Sequence, residues 1–412
     1  MDPSLCLKCK GGRMLCGRSK CPIQSRIDSL KSIKQKISKT SIFGASPPAI
    51  FVGRWGYPDV RVGPMVPPIR GEKGREFDDP KNWFGREIGE IIDLRTELVR
   101  SNFNANVRSA SHPDKFLDLT QELAMASNPV DTEVELFKPP RVKLTYDGIL
   151  SPVGPTGNLK EAKLAENPKV DKSVDYLVSD YDARASEALK ELYEGGVDVY
   201  QSSRLLSAGL LGDKRDRKLV PTRWSITAVD SQLGNNLLSR VKQRQQISGI
   251  QLFSGEYLGN HFEILMLPDA YSFELIEMWR PHSVWMGGDS TQIVSDHEDW
   301  RSRSRYSPLG GGYYATRLPV LEHLDEARRQ ASVLAIREIS SDYWAPLGVW
   351  VVRETARNAL SQEPETFETI EEALSTMASR LKVQRKRWYT KSTLLKRLRE
   401  QLKLEQFLEE AK

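Results

Sequence analysis

Every cysteine of this 412-residue chain lies within its first 21 residues, spaced Cys6-x2-Cys9-x6-Cys16-x4-Cys21. Four thiolates close a tetrahedral shell around zinc, and a Cys-x-x-Cys pair can contribute two of them. Four protein ligands leave no open position for water, so the expected role is structural. Gly11, Gly12 and Gly17 fall between the ligands, where a short chain wrapping an ion needs backbone freedom. An iron–sulfur cluster is the competing occupant, since it too takes all-cysteine shells. Four unrelated thiols would leave unexplained why no cysteine follows Cys21.

The other end carries a different kind of chemistry. The chain closes Gln401-Leu402-Lys403-Leu404-Glu405-Gln406-Phe407-Leu408-Glu409-Glu410-Ala411-Lys412. One helical turn would put Leu404, Phe407 and Leu408 on one side as an apolar plug, with Gln401 as a polar anchor. This peptide resembles the PIP box by which replication and repair proteins engage the PCNA sliding clamp, with Leu408 standing where a second aromatic is usual. The same spacing also serves a helix end packed on its own domain. The terminal position favours the hook, because chain ends are available to partners.

Upstream of the hook, Arg380, Lys382, Arg385, Lys386, Arg387, Lys391, Lys396, Arg397 and Arg399 follow one another with no acid between them. Within that run Arg385, Lys386, Arg387 and Lys391 surround Trp388 and Tyr389. Cations neutralise phosphates and flat rings stack on exposed bases, so the composition suits nucleic acid, single strands above all. A solvated helix face with Trp388 in the core accounts for the same residues. Lys31 and Lys34, on a basic stretch behind the cysteines, extend the expected nucleic-acid contacts.

Within the body, Gly53-Arg54-Trp55-Gly56-Tyr57-Pro58-Asp59 packs Arg54 and Asp59 into a glycine-rich loop, and Val220 to Asp230 places Arg223 and Asp230 about an apolar run. Arginines held by such backbone can clamp a phosphate; structural Arg–Asp pairing is the plainer account. His261 and Glu263, two apart on a predicted strand, share one face and could serve acid–base or metal chemistry. Arg54, Asp59, Arg223, Asp230, His261 and Glu263 are therefore the catalytic candidates. No Walker A loop, G-x-S-x-G, H-E-x-x-H or kinase set appears, and Ser307 to Tyr314, with its three glycines, reads as a turn.

The elements that position these residues are read from periodicity and composition. Ile27, Leu30, Ile33 and Ile37 recur at helical spacing over 25–39, a basic amphipathic helix. Proline and glycine crowd 46–74, which implies strand and ordered loop. Helices are expected over 79–102, 113–126, 174–195 (ended by Gly195-Gly196), 325–339 and 364–387; strands are expected over 134–145, 151–158, 223–229 and 262–267. The fold class is α+β, a mixed α/β body with a small N-terminal zinc module and a helical, basic C-terminal tail. The expected divisions are a four-cysteine zinc module over 1–24, a basic helical linker over 25–45, a mixed body over 46–340 with length for two lobes, a helical region with basic tail over 341–390, and a clamp-binding tail over 391–412. No fixed-period repeat appears.

The charge balance, 60 Lys+Arg against 55 Asp+Glu, is too mild to name a polyanionic partner by itself. No run approaches the roughly 18 apolar residues of a membrane span, so no membrane partner is expected. The first residues lack the basic and apolar regions of a secretory signal. A cytoplasmic, nucleoid-associated protein is expected.

Three further stretches join the two ends in a wider likeness: Cys6 to Gly17, Phe51 to Pro58 with Val62-Gly63-Pro64, and Val220 to Asp230. With the PIP-like peptide they resemble the archaeal Nre family of DNA repair proteins, of the NreA type, over nearly the whole chain. The resemblance implies a DNA repair factor acting with PCNA on damaged or branched DNA, and it hands over no catalytic mechanism. The enzyme alternative is a metal-dependent nuclease using Mg²⁺ or Mn²⁺, or a nucleotide-handling enzyme with a pocket around Arg54 and Arg223. An RNA-modification factor with a zinc head is the reading outside DNA.

Overall fold

The computed structural model describes residues 8–9, 12–17, 20–33, 37–141, 154–284, 286, 289–301, 303 and 305–400. Cys6, Lys34 and the terminal peptide with Gln401, Leu404, Phe407 and Leu408 lie outside the described residues. The chain forms an α+β protein of two compact units. One is Pro22–Leu233; the other joins Met1–Cys21 to Gly234–Lys412. Among the described residues no helix is long and apolar enough to cross a membrane.

The Pro22–Leu233 unit is built on a six-stranded sheet of β1 (Ser41–Ser46), β2 (Ile50–Val52), β3 (Asp59–Val66), β4 (Val99–Asn106), β5 (Val130–Leu136) and β6 (Thr156–Leu164), in the order β1-β5-β6-β4-β3-β2. All neighbours are antiparallel except β4 and β6, which run parallel. Strict alternation in β5 buries Val130, Thr132, Val134 and Leu136, the period-two signature of a half-covered strand. The helix Pro22–Ile33 supplies Leu30 and Ile33 to the same core as Ile42 and Val134, as its apolar spacing predicts. The helix Lys115–Met125 starts where Asp114 accepts hydrogen bonds from the amides of Phe116 and Leu117, an N-cap that satisfies two otherwise unpaired donors.

Two expected helices are cut by local chemistry. Over 79–102 the helix is confined to Ile88–Glu97, after Gly85 at φ +95°, and Val99–Asn106 becomes β4. Over 174–195 the chain breaks between the helices Lys172–Ser179 and Ala185–Glu194, because Asp180 Oδ1 accepts from the amides of Asp182 and Ala183 and turns the backbone aside. The Gly195-Gly196 stop holds, with Gly196 at φ +85°.

The second unit carries β8 (Ile250–Tyr257), β9 (Asn260–Leu267), β10 (Ser272–Trp279), β11 (Gln292–Glu298), β13 (Ser332–Ile339) and β14 (Glu365–Phe367), in the order β11-β10-β13-β9-β8-β14, beside a short parallel pair of β7 (Gln245–Gln246) and β12 (Arg329–Gln330). Central strands β10 and β13 run parallel and are buried along their whole length. Such strands are covered on both faces and read as near-continuous apolar runs. Helical spacing predicted a helix over 325–339; the helix is instead Gly311–Glu326, and Ser332–Ile339 is β13. A short apolar run has no periodicity by which helix and buried strand can be told apart. The opposite error falls on 223–229, expected as a strand and found inside the helix Thr222–Val241, whose first turn is set by Pro221, the carbonyl of which accepts from Trp224 and Ser225.

Candidate nucleic-acid interface

In the Pro22–Leu233 unit, β2 and β3 form a hairpin whose loop is Gly53 to Pro58. The amide of Gly53 donates to the carbonyl of Arg61 at 2.7 Å, continuing the ladder past the strands. The loop then turns at Gly56, whose φ of +85° suits glycine, and closes through the amide of Asp59 on the carbonyl of Gly56 at 2.9 Å, with a cis peptide at Tyr57–Pro58. The turn leaves two rings outside: Trp55 is 77% exposed and Tyr57 51%.

The tertiary structure brings the start of the Thr222–Val241 helix to this loop. The amide of Val52 donates to Thr222 Oγ1 at 3.0 Å, and the rings of Tyr57 and Trp224 meet with centroids 5.7 Å apart at 47°. Backbone bonds tie the junction from behind: Val107 donates to Pro58, Leu219 to Val107, and Val220 to Ser207. Trp224 itself is 48% exposed. Arg54 lies over the Trp55 ring at 4.9 Å, and Arg223 is exposed at the head of the helix. Asp59 is exposed, and its carboxylate accepts from Asn106 Nδ2 at 2.8 Å.

The loop, Arg54 and Arg223 are thus brought into one neighbourhood, but as an outward face of rings and cations. Asp230 stands apart from it: it is buried, about 10 Å further along the helix by the axial rise per residue. Sequence reasoning singled out the arginines and missed Trp55, Tyr57 and Trp224. The signal was present in the alternation of cations with rings at Arg54-Trp55 and Arg223-Trp224.

The other candidates lie in the second unit. His261 Nε2 is 2.8 Å from Glu263 Oε1 and its Nδ1 is 3.6 Å from Glu256. Burial pulls the imidazole pKa down, but the hydrogen bond to Glu263 and the charges of Glu263, Glu256 and Glu338 outweigh it and hold the pKa above its ordinary value. Glu263 is wholly buried, also accepts from Ser254 Oγ at 2.9 Å, and faces Arg380 at 3.6 Å. The pair shares one face of β9 as expected, inside a network of ion pairs.

The basic segment is seated on this unit. Trp388, expected as a stacking ring, is 0% exposed and packs with Met278, Leu334, Leu374, Met377 and Leu394, where no base can reach it. Arg385 makes a two-pronged contact with Glu371, and Arg387 donates to the carbonyl of Thr291 at 2.8 Å. Lys386 and Lys391 are exposed. In the other unit, exposed Lys31 pairs with Asp28 at 2.9 Å.

At the head, Cys9 is buried and Cys16 and Cys21 are half-buried, and among the described residues no three His, Cys, Asp or Glu side chains are grouped as a metal shell. The His282 ring lies against this segment, its Nδ1 3.3 Å from the carbonyl of Cys16. A Cβ at Gly17 would sit 2.5 Å from that nitrogen, and the backbone there has φ +71°, so glycine is required between the last two cysteines for both reasons.

Comparison with known proteins bears on the chain as a whole. The family described as "Archaeal Nre, N-terminal" matches residues 15–286, and the one described as "Archaeal Nre, C-terminal" matches residues 298–407. DNA repair protein NreA of Archaeoglobus fulgidus is 45% identical over 93% of this chain and 95% of its own. DNA repair protein NreA of Haloferax volcanii is 38% identical over 89% of this chain and 90% of its own. DNA repair protein NreB of Archaeoglobus fulgidus is 37% identical over 96% and 98%. No solved structure matches. With both family halves matched in order and relatives aligned nearly end to end, the chain belongs to the archaeal Nre family.

Proposed function

We propose that this protein is a DNA repair factor that binds damaged or branched DNA and works at the PCNA sliding clamp, with a structural zinc ion in its head. The observation that carries the repair role is the identity, over about nine-tenths of the chain or more, with proteins named for DNA repair. The clamp role is supported by Gln401, Leu404, Phe407 and Leu408, whose types and spacing match a clamp-binding plug. The residues just ahead of that plug are seated by two strand glutamates. Glu338 accepts from the amides of Lys382 and Val383, and Glu274 accepts from Ser392, Thr393 and Leu394. Such seating gives the tether a defined root.

Zinc would be held by Cys6, Cys9, Cys16 and Cys21, whose soft thiolates suit it, and it would supply a fold-stabilising crosslink in a segment with few apolar residues. DNA would meet the exposed cations of both units, giving an affinity that falls with salt.

Calorimetric titration of the full chain with the clamp tests the central claim. The wild type should bind with a Kd in the micromolar range or better, and Phe407→Ala should abolish the heat; equal binding by the two would remove the hook. Elemental analysis of the purified protein should find one zinc and no iron.

A further inference from the structure

We infer that the hairpin loop Gly53 to Pro58 and the head of the Thr222–Val241 helix form a base-stacking platform for unpaired DNA, with Trp55, Tyr57 and Trp224 as its rings and Arg54 and Arg223 as its phosphate contacts. The inference rests on the reading above that DNA is the partner, and it assigns where and in what form DNA is held.

Large rings left in water are costly, and a face that keeps three of them together is kept for contact with something. At 77%, 51% and 48% exposure, Trp55, Tyr57 and Trp224 are such a face. They are held in place by the turn at Gly56, the Val52–Thr222 bond and the relay Pro58–Val107–Leu219. A platform of this kind loses little freedom when a ligand arrives.

Its charge selects the ligand. Arg54 and Arg223 belong to the platform, and exposed Arg61 and Arg108 flank it. Asp59, the acid that follows the loop at the start of β3, is already engaged by Asn106. Cations around flat rings match a polyanion that presents π-faces, and a nucleic-acid strand has both. In a duplex those faces are buried in the stack, so the platform can use them only where the strand is unpaired. Tyr57 and Trp224 are tilted and too close to admit a base between them, since stacked bases repeat about every 3.4 Å. Bases would lie on the outer faces, led by Trp55, in the sequence-tolerant manner of single-strand binders. The start of a 20-residue helix adds partial positive charge at Arg223.

The test is fluorescence anisotropy with a labelled oligothymidylate on the order of ten to sixteen nucleotides long, using the full chain at low salt, with unlabelled oligothymidylate, duplex and oligouridylate as competitors. The wild type should bind the single strand, and the duplex and the RNA should compete poorly. Trp55→Ala and Trp224→Ala should each weaken binding about tenfold, the scale of one lost stack, with unchanged thermal unfolding because both rings are on the surface. Trp55→Phe should restore most of the loss, and Lys386→Gln with Lys391→Gln should change affinity less than either tryptophan variant. Single-strand binding by the wild type that both alanine variants retain in full would overturn the platform and leave the DNA reading standing. Stronger competition by duplex or RNA than by unlabelled oligothymidylate would overturn the single-stranded DNA assignment. Absence of binding to any of the three would overturn the platform and the DNA reading together.

Discussion

The carboxylate of Glu274 accepts the hydroxyl of Ser392 at 2.6 Å across 118 residues of chain, from the first half of a central strand to the start of the last described helical residues, 393–400. Its two oxygens also accept the amides of Thr393 and Leu394, so a buried strand residue caps a helix distant in sequence. Glu274→Ala should therefore cost about 3 kcal/mol, the scale of hydrogen bonds to a charged acceptor. Limited trypsin digestion should cut at Lys396, Arg397 or Arg399 well before it cuts the wild type. Glu274→Gln, which keeps an acceptor, should fall between. An unchanged digestion pattern for the alanine variant would show that the cap does not hold the segment.

Arg317 and Glu298 form a buried pair at 2.6 Å, with Tyr271 donating to the same carboxylate oxygen at 2.8 Å. Burial alone would lower the pKa of Arg317, yet Tyr271 and Glu298 hold it above its ordinary value. Arg317→Ala strands a carboxylate away from water and should destabilise by about 3–5 kcal/mol. Adding Glu298→Gln should recover part of that loss, because the stranded charge is gone. Urea denaturation of the two single variants and the double variant would show this as a non-additive cycle.

Trp388 sits in the core of the second unit, and Trp388→Ala should cost about 3–5 kcal/mol through the cavity it leaves. Trp388→Phe should cost less, and the folded variant should bind DNA as the wild type does. Weakened DNA binding by a fully folded Trp388→Phe would restore a contact role to this ring.

The raised pKa of His261 gives stability a definite pH dependence. The folded state holds the proton more tightly than the unfolded chain, whose value is near 6.5, so the contribution is fully present below 6.5 and is lost as pH rises through the folded value. The groups facing it are Glu256, Glu263 and Glu338. His261→Gln should flatten the loss of stability seen above pH 6.5. Half-buried His323 has the opposite sign: desolvation lowers its pKa, which removes stability as pH falls from 6.5 through the folded value. Thermal unfolding of His261→Gln and His323→Gln across pH 5 to 8 should separate the two variants by slope.

The residue patterns themselves were legible before any fold was known. Cysteine spacing, the Gln401 to Leu408 pattern and the cation–ring runs are local in sequence, but whether a ring such as Trp388 faces water is not. The helix Lys115–Met125 and strand β9 were likewise readable, because a cap residue and an apolar run announce them. Over 332–339 and 223–229 the same reasoning failed in opposite directions. Those stretches are short and apolar, and their state is set by partners far away: β10 and β9 flank the first, and Pro221 with the hairpin loop fixes the second.

By itself the sequence determined which groups are available: four cysteines, the Gln401, Leu404, Phe407 and Leu408 pattern, arginines beside tryptophans, and one tryptophan amid a basic run. Only the tertiary structure decided which of the rings face water. Trp388 and Trp224 each lie beside an arginine in the chain, yet one is enclosed by the sheet and the other stands at the surface against Tyr57. Neighbours in sequence are the same in kind for both rings; what differs is the set of distant side chains that folding brings over each, and burial is a property of that set.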